Sequence, residues 1–409
     1  MTERQRGRTG HYRRVAALAA FAVLVTACGA GTSRPASPAS GSPRTQAPGS
    51  PAAEGKAGPD RAVASPAADP SAAPNPVPAW LASLEAKAAN KPGHLAPGSD
   101  PAVLPGPVLI ADRSNNRVLI VDPRGRVLWS TPGQGLPEPD DAFFGPDGRQ
   151  IIATQEDESR ISVLSVPSGR ITWHYGHTGI SGAAHGYLSN PDDAMLLPDG
   201  KVMTADIKNC RLLELSQKTL APVHVYGETT TDCYHAPPQR FGSPNGMFPM
   251  ANGDWLVTEI NGDWVDEITP SGRIVWSANP PGITYPSDTN EVKPGVYLTV
   301  SYTYPGSIEE FTKTGRLLWS YAPQGANALN DPSLALPLPN GDILANADYS
   351  DRIVVIDPKT SKIVWQYGHT GMPGSGPGYL HKPDGVDLAP PYSLLGSHAA
   401  SMGVPPYGR

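Results

Sequence analysis

A short segment ending in tryptophan recurs along the chain: Val127-Leu128-Trp129, Ile171-Thr172-Trp173, Ile274-Val275-Trp276, Leu317-Leu318-Trp319 and Ile363-Val364-Trp365. Residues 222–227 align with 363–368, so His224 stands where the sixth copy would have its tryptophan. Successive copies are 44, 51, 52, 43 and 46 residues apart. One such unit cannot bury its own apolar face. Copies of ~40–50 residues, each made of several short strands, bury it by stacking around a ring as propeller blades.

Two further markers run in step with the first. Pro139-Asp140, Pro191-Asp192, Pro244-Asn245, Pro286-Ser287, Pro332-Ser333 and Pro383-Asp384 each open an apolar segment. Turns follow at Pro146-Asp147-Gly148, Pro198-Asp199-Gly200, Asn252-Gly253, Pro294-Gly295 and Asn340-Gly341, with the positive φ of a tight hairpin available at glycine. A second strand such as 201–205 or 342–347 comes next, then a polar loop, a third strand and the Trp strand. That makes four antiparallel strands per unit. The first unit, 103–129, lacks its Pro-Asp segment, and the last such segment, 383–389, has no unit after it. Pairing the two closes a circle and removes the open edges that invite aggregation. The sequence therefore predicts an all-β fold: a six-bladed β-propeller of four-stranded antiparallel blades over residues 103–390, closed by the C-terminal strand. The Trp rings are expected to pack between blades.

Composition excludes two other classes. The 47 Pro and 43 Gly break helices too often for a bundle. Charged residues make up 17% of the chain and the formal net charge is −6, so no nucleic-acid partner is expected.

The first residues read as an address. Arg4, Arg6, Arg8, Arg13 and Arg14 precede an uncharged apolar stretch, 15–25, which is too short to span a bilayer and of the length of a secretory signal. Val25-Thr26-Ala27-Cys28 resembles a bacterial lipobox. The resemblance implies that residues 1–28 are a lipoprotein signal and attachment site, with Cys28 lipidated and the protein held at the extracytoplasmic face of the cell membrane. Residues 29–78 are almost entirely Pro, Ala, Ser, Gly and Thr, too poor in apolar bulk to offset the entropy of ordering, and read as a disordered tether. Residues 79–102 read as a short helix carrying Trp80, Leu81, Leu84 and Ala88, followed by a lead-in; 391–409 read as an irregular tail. Cys210 and Cys233 remain, and in an exported domain such a pair is expected to form a disulfide.

The loop Asp112-Arg113-Ser114-Asn115-Asn116-Arg117, its relative Asp206-Ile207-Lys208-Asn209-Cys210-Arg211, and the Gly-rich connections 177–188 and 369–380 resemble NHL-type propeller repeats. The Trp strand with its glycine ending is similar to quinoprotein-type (PQQ-like) repeats. These resemblances cover about residues 100–390 and imply blade architecture rather than an activity. The quinone-binding enzymes of that repeat type have eight blades, so PQQ is not expected here. A weaker likeness to arylsulfotransferases, exported six-bladed propellers with a channel histidine, transfers no residue.

Propeller topology puts the loop between strands two and three on the same face as the connection into the next inner strand. Asp140, Asp192, Asn245, Ser287, Ser333 and Asp384 are therefore expected to ring the channel mouth, with Asp112, Asp206, Glu259 and Asp348 close by. The plain account is that these side chains cap their own turns and that Arg117 and Arg211 take up loop carboxylates. The functional account is ligand binding, with a hard cation such as Ca2+ relieving repulsion among Asp140, Asp192 and Asp384 and drawing on two or more of these with Asp193 and Asp387; no other cofactor is expected. His177, His185, His369 and His381 lie in same-face connections and are the candidates for acid–base work. Tyr285, Tyr302 and Tyr304 are candidates for an apolar docking patch. The expected function is thus a membrane-anchored, monomeric propeller binding a ligand or protein partner at one face of its channel. The alternative is an exported transferase or hydrolase using the loop histidines or a channel metal.

Overall fold

The computed structural model describes residues 77–132, 135–250 and 252–395. Cys28, the tether before residue 77 and the tail from residue 396 lie outside the described residues. Six four-stranded antiparallel sheets form the propeller. Blade 1 takes its inner strand, Pro383–Leu388, from the end of the chain and adds Val108–Asp112, Arg117–Val121 and Val127–Ser130 outward. The other inner strands are Ala142–Phe144, Pro191–Leu196, Pro244–Pro249, Pro286–Lys293 and Ala335–Pro337, one for each of blades 2 to 6. The ring thus closes as the sequence predicts, with Val108 opposite Leu388 and Ile110 opposite Val386.

Second and third strands such as 151–154, 202–205 and 353–356 are buried over their whole length, because both faces of each blade meet neighbouring blades. A run of Ile, Val and Leu suits that position, and each side chain fully buried there contributes about 1.5–3 kcal/mol.

The Trp strand is the outermost one. Trp129 and Trp365 are buried, while Trp173, Trp276 and Trp319 are half-buried. Trp129, Trp319 and Trp365 donate Nε1–H to Pro167, Pro358 and Pro123 carbonyls in the turn of the following blade, at 2.8, 3.1 and 2.8 Å. His224 does occupy the tryptophan register, opposite Glu214, but it is exposed and stacked on Tyr226. The bond to the next blade passes to Tyr226, whose hydroxyl donates to the Pro270 carbonyl at 2.9 Å.

The helix Ala79–Ala88 buries Leu81 and Ala88, with Trp80 and Leu84 packed beside the blade 1 core. Its lead-in continues onto the outer strand of blade 6: Ala96 N–H donates to the Gln366 carbonyl and Asp100 N–H to the Val364 carbonyl. Cys210 and Cys233 form a disulfide. No helix among the described residues is long and apolar enough to cross a membrane.

Candidate functional site

Each inner strand begins the same way. The residue before the marker proline, which is Glu138, Asn190, Ser243, Tyr285, Asp331 or Lys382, has a positive φ of 43 to 58°. None of the six is glycine, so every blade holds a conformation that disfavours L side chains. The following proline then turns the chain inward. In this way the backbone aims Asp140, Asp192, Asn245, Ser287, Ser333 and Asp384 at one place, and all six line a single cavity at the channel mouth.

Arg113, Asp141, Glu156, Tyr285 and Tyr302 complete that wall. The cavity has a volume of about 50 Å³, room for an ion and a few waters, since one water needs ~10–15 Å³ on this measure. Tyr285 and Tyr302 lie together, ring centroids 5.3 Å apart, while Tyr304 is exposed. Two members of the expected tyrosine patch therefore face the cavity.

Charge is distributed unevenly around the mouth. Arg113 donates to Asp384 Oδ2 at 2.9 Å, to Glu156 at 3.2 Å and to Asp157 at 2.8 Å, and it pairs with Asp140. Burial, the largest influence, would raise Asp384, but the Arg113 guanidinium together with hydrogen bonds from Asp140 and Ser333 holds this carboxyl below its usual range. On the other side, no guanidinium or ammonium among the described residues forms an ion pair with Asp141, Asp192, Asp193 or Asp288. There Asp141, Asp193 and Asp288 place oxygens within 4.8 Å of one another, and Asp141 and Asp192 form a second such group with the Arg113-paired Asp140. Asp141 Oδ1, Asp193 Oδ1 and Asp288 Oδ1 are buried without a hydrogen-bond donor. Burial, then the charge of Asp384, pushes Asp141 up to about 7. Burial and neighbouring carboxylates likewise raise Asp192, Asp193 and Asp288 well above their ordinary value.

Glycines make this crowding possible. A Cβ on Gly246 would stand 2.2 Å from Asp288 Oδ1, and one on Gly385 would stand 2.5 Å from Asp141 Oδ1. Each carboxylate therefore fills the space left by a missing side chain on the preceding inner strand. Further polar bonds join neighbouring inner strands: Met247 N–H donates to Asp193 Oδ2, Phe144 N–H to Asp387 Oδ2, and Asn245 Nδ2 to Ser287 Oγ.

The second group of expected residues is not gathered at the mouth as a set. Asp112 and Asp206 are taken up by Arg117 and Arg211, at 2.6 and 2.8 Å, as the plain account anticipates. Asp348 is fully buried and lines an adjoining cavity with Tyr302 and Asp384. Glu259 is not part of the cavity wall and lies 3.1 Å from His235 Nδ1. Of the four histidines, none is part of the cavity wall. His177 and His369 directly follow outermost strands and pack on Tyr187 and Tyr379, at 4.4 and 4.3 Å. His185 is exposed, and His381 caps Asp112 through its backbone N–H.

Sequence reasoning missed Arg113, Glu156, Asp141 and Asp288. The two aspartates were marked by a signal, since Pro-Asp-Asp at 139 and 191 and Pro-Ser-Asp at 286 repeat a carboxylate one place after the ring position. Arg113 occurs in one copy only and meets Asp384 across 271 residues, so no local pattern announces it.

Residues 214–377 match the PQQ_2 family model, described as outer membrane protein assembly factor BamB. The chain is a six-bladed propeller, and that match spans about two fifths of it. The propeller is similar to a protein of unknown function from Bacteroides caccae, at 17% identity and TM-score 0.50 over 69% of this chain and 98% of that one. A chain of a nidogen/laminin complex matches at 14% identity and TM-score 0.50, with the same coverage. A streptogramin B lyase aligns at 21% identity and TM-score 0.41 over 57% of this chain and 70% of that one. These likenesses concern the fold alone. No curated protein matches this chain in sequence.

Proposed function

We propose that this protein is a lipid-tethered, extracytoplasmic binding module whose ligand site is the acidic channel mouth, with a hard cation such as Ca2+ as its first occupant. One observation carries the reading: Asp141, Asp193 and Asp288 hold buried oxygens that no donor meets, on the side of the mouth that Arg113 does not reach. Uncompensated buried carboxylates either take up protons or bind a cation. Oxygens up to 4.8 Å apart suit Ca2+, which bonds oxygen at 2.3–2.6 Å and so spans ~5 Å between opposite ligands. The hydroxyls of Tyr285, Tyr302, Ser287 and Ser333 and the guanidinium of Arg113 offer fixed polar contacts to a larger ligand or partner seated above the ion. The match over residues 214–377 to the model of an assembly factor agrees with a binding role. Lipid on Cys28 and a tether of 50 residues would hold the propeller clear of the membrane; as a coil that length spans ~40 Å.

Isothermal titration of the full chain with CaCl2 tests the site. One equivalent is expected to bind, weakening at least ten-fold in Asp141→Asn and in Asp288→Asn. Absence of heat and of thermal stabilisation at millimolar Ca2+ would overturn the cation reading.

A further inference from the structure

Blade 4 departs from a pairing that blades 1 and 3 share. In blades 1 and 3 the carboxylate ending the second strand is neutralised by the arginine that opens the third, as Asp112 by Arg117 and Asp206 by Arg211. In blade 4 the corresponding pair is Glu259 and Trp264, so the arginine is gone. Two residues farther along, where blades 1 and 3 have Leu119 and Leu213, blade 4 places a second carboxylate, Asp266. Glu259 and Asp266 are both fully buried. Glu259 Oε1 and both oxygens of Asp266 accept no hydrogen bond of ordinary length.

A histidine has come in place of the arginine. His235 enters from the connection between blades 3 and 4, its ring stacked on Trp264 at 3.9 Å and 6°. Its Nδ1 lies 3.1 Å from Glu259 Oε2 and 3.8 Å from Asp266 Oδ2. The loop that carries it is anchored two residues earlier by the Cys210–Cys233 disulfide, and Asn261 Nδ2 donates to the Cys233 carbonyl. Gly242 N–H donates to Glu259 Oε2, which fixes that carboxylate from the other side.

We infer that His235, Glu259 and Asp266 form a divalent transition-metal site of the zinc class, separate from the channel. The donor atoms all lie within 4.8 Å of one another, and the two distances from Nδ1 bracket the ~3.4 Å between ligands of a tetrahedral ion with bonds of 2.0–2.2 Å. One imidazole with two carboxylates favours zinc, manganese or iron over calcium, which takes oxygen alone. His235 is half-buried, which leaves a side open for entry and for a water ligand.

The test uses the full chain stripped with EDTA and titrated with ZnCl2 alone, then with CoCl2 as a spectroscopic probe. Wild type is expected to bind one equivalent at this site, with visible cobalt bands. His235→Gln and Asp266→Asn should each weaken zinc binding about 100-fold and abolish the bands, while Asp141→Asn leaves both unchanged. Melting in EDTA shows whether each variant is folded; if one is not, the cobalt spectrum of wild type and the other variant decides. Wild-type zinc binding in folded His235→Gln, or no zinc uptake by wild type, would overturn the inference. Loss of zinc binding in Asp141→Asn alone would place the metal in the channel and overturn it as well.

Discussion

Gly246 shows how much one missing side chain contributes to the channel. An added methyl would meet Asp288 Oδ1 at 2.2 Å and the Ser287 carbonyl and Thr258 hydroxyl at 2.7 Å, all of them buried. Gly246→Ala is therefore expected to lower stability by about 1–3 kcal/mol through overpacking and to weaken Ca2+ binding with it, read from urea midpoints and titration on the same sample. Unchanged stability would mean that the inner strands can separate at no cost. At this scale the sequence was legible where chemistry repeats. The six ring residues announce themselves because each follows a proline at a fixed place in its unit. Arg113 and His235 do not, because each acts once, through contacts that only the closed ring creates.

At the level of strands and blades, periodicity carried most of the information. Five Trp strands and their His224 counterpart, six prolines each followed by Asp, Asn or Ser, and five Gly turns define the blades, and the orphaned first and last segments define how they close. The lead-in over 94–100 was less legible: its backbone bonds to Gln366 and Val364 involve no distinctive side chain. The closing strand makes a direct prediction. Ending the chain after Lys382 removes the partner of Val108–Asp112 and leaves an unpaired edge beside the empty place on the axis. Such a truncation is expected to elute as aggregates in size-exclusion chromatography and to lose cooperative melting. A monomer with a wild-type melting curve would show that closure is dispensable.

Across the whole molecule, buried carboxylates set the response to pH. Asp387 is fully buried in the ring of inner strands. Burial raises it to about 7, although the Leu394, Phe144 and Leu388 N–H groups pull the other way. The folded protein then keeps a proton that the unfolded chain releases near pH 4, so this contribution to stability is full below that pH, falls as pH rises toward 7 and levels off above it. Urea midpoints measured from pH 5 to 8 should decline in wild type and decline less in Asp387→Asn. Equal slopes in the two proteins would remove Asp387 from the account.

The strap formed by the first described residues has its own consequence. The helix Ala79–Ala88 rests on blade 1, and the stretch behind it is bonded to the rim of blade 6. The circle closes within blade 1, where the strand Pro383–Leu388 arrives from blade 6. Any traction arriving from upstream of residue 77 would thus enter at the seam and be shared by both flanks, sparing the last strand from bearing the load alone.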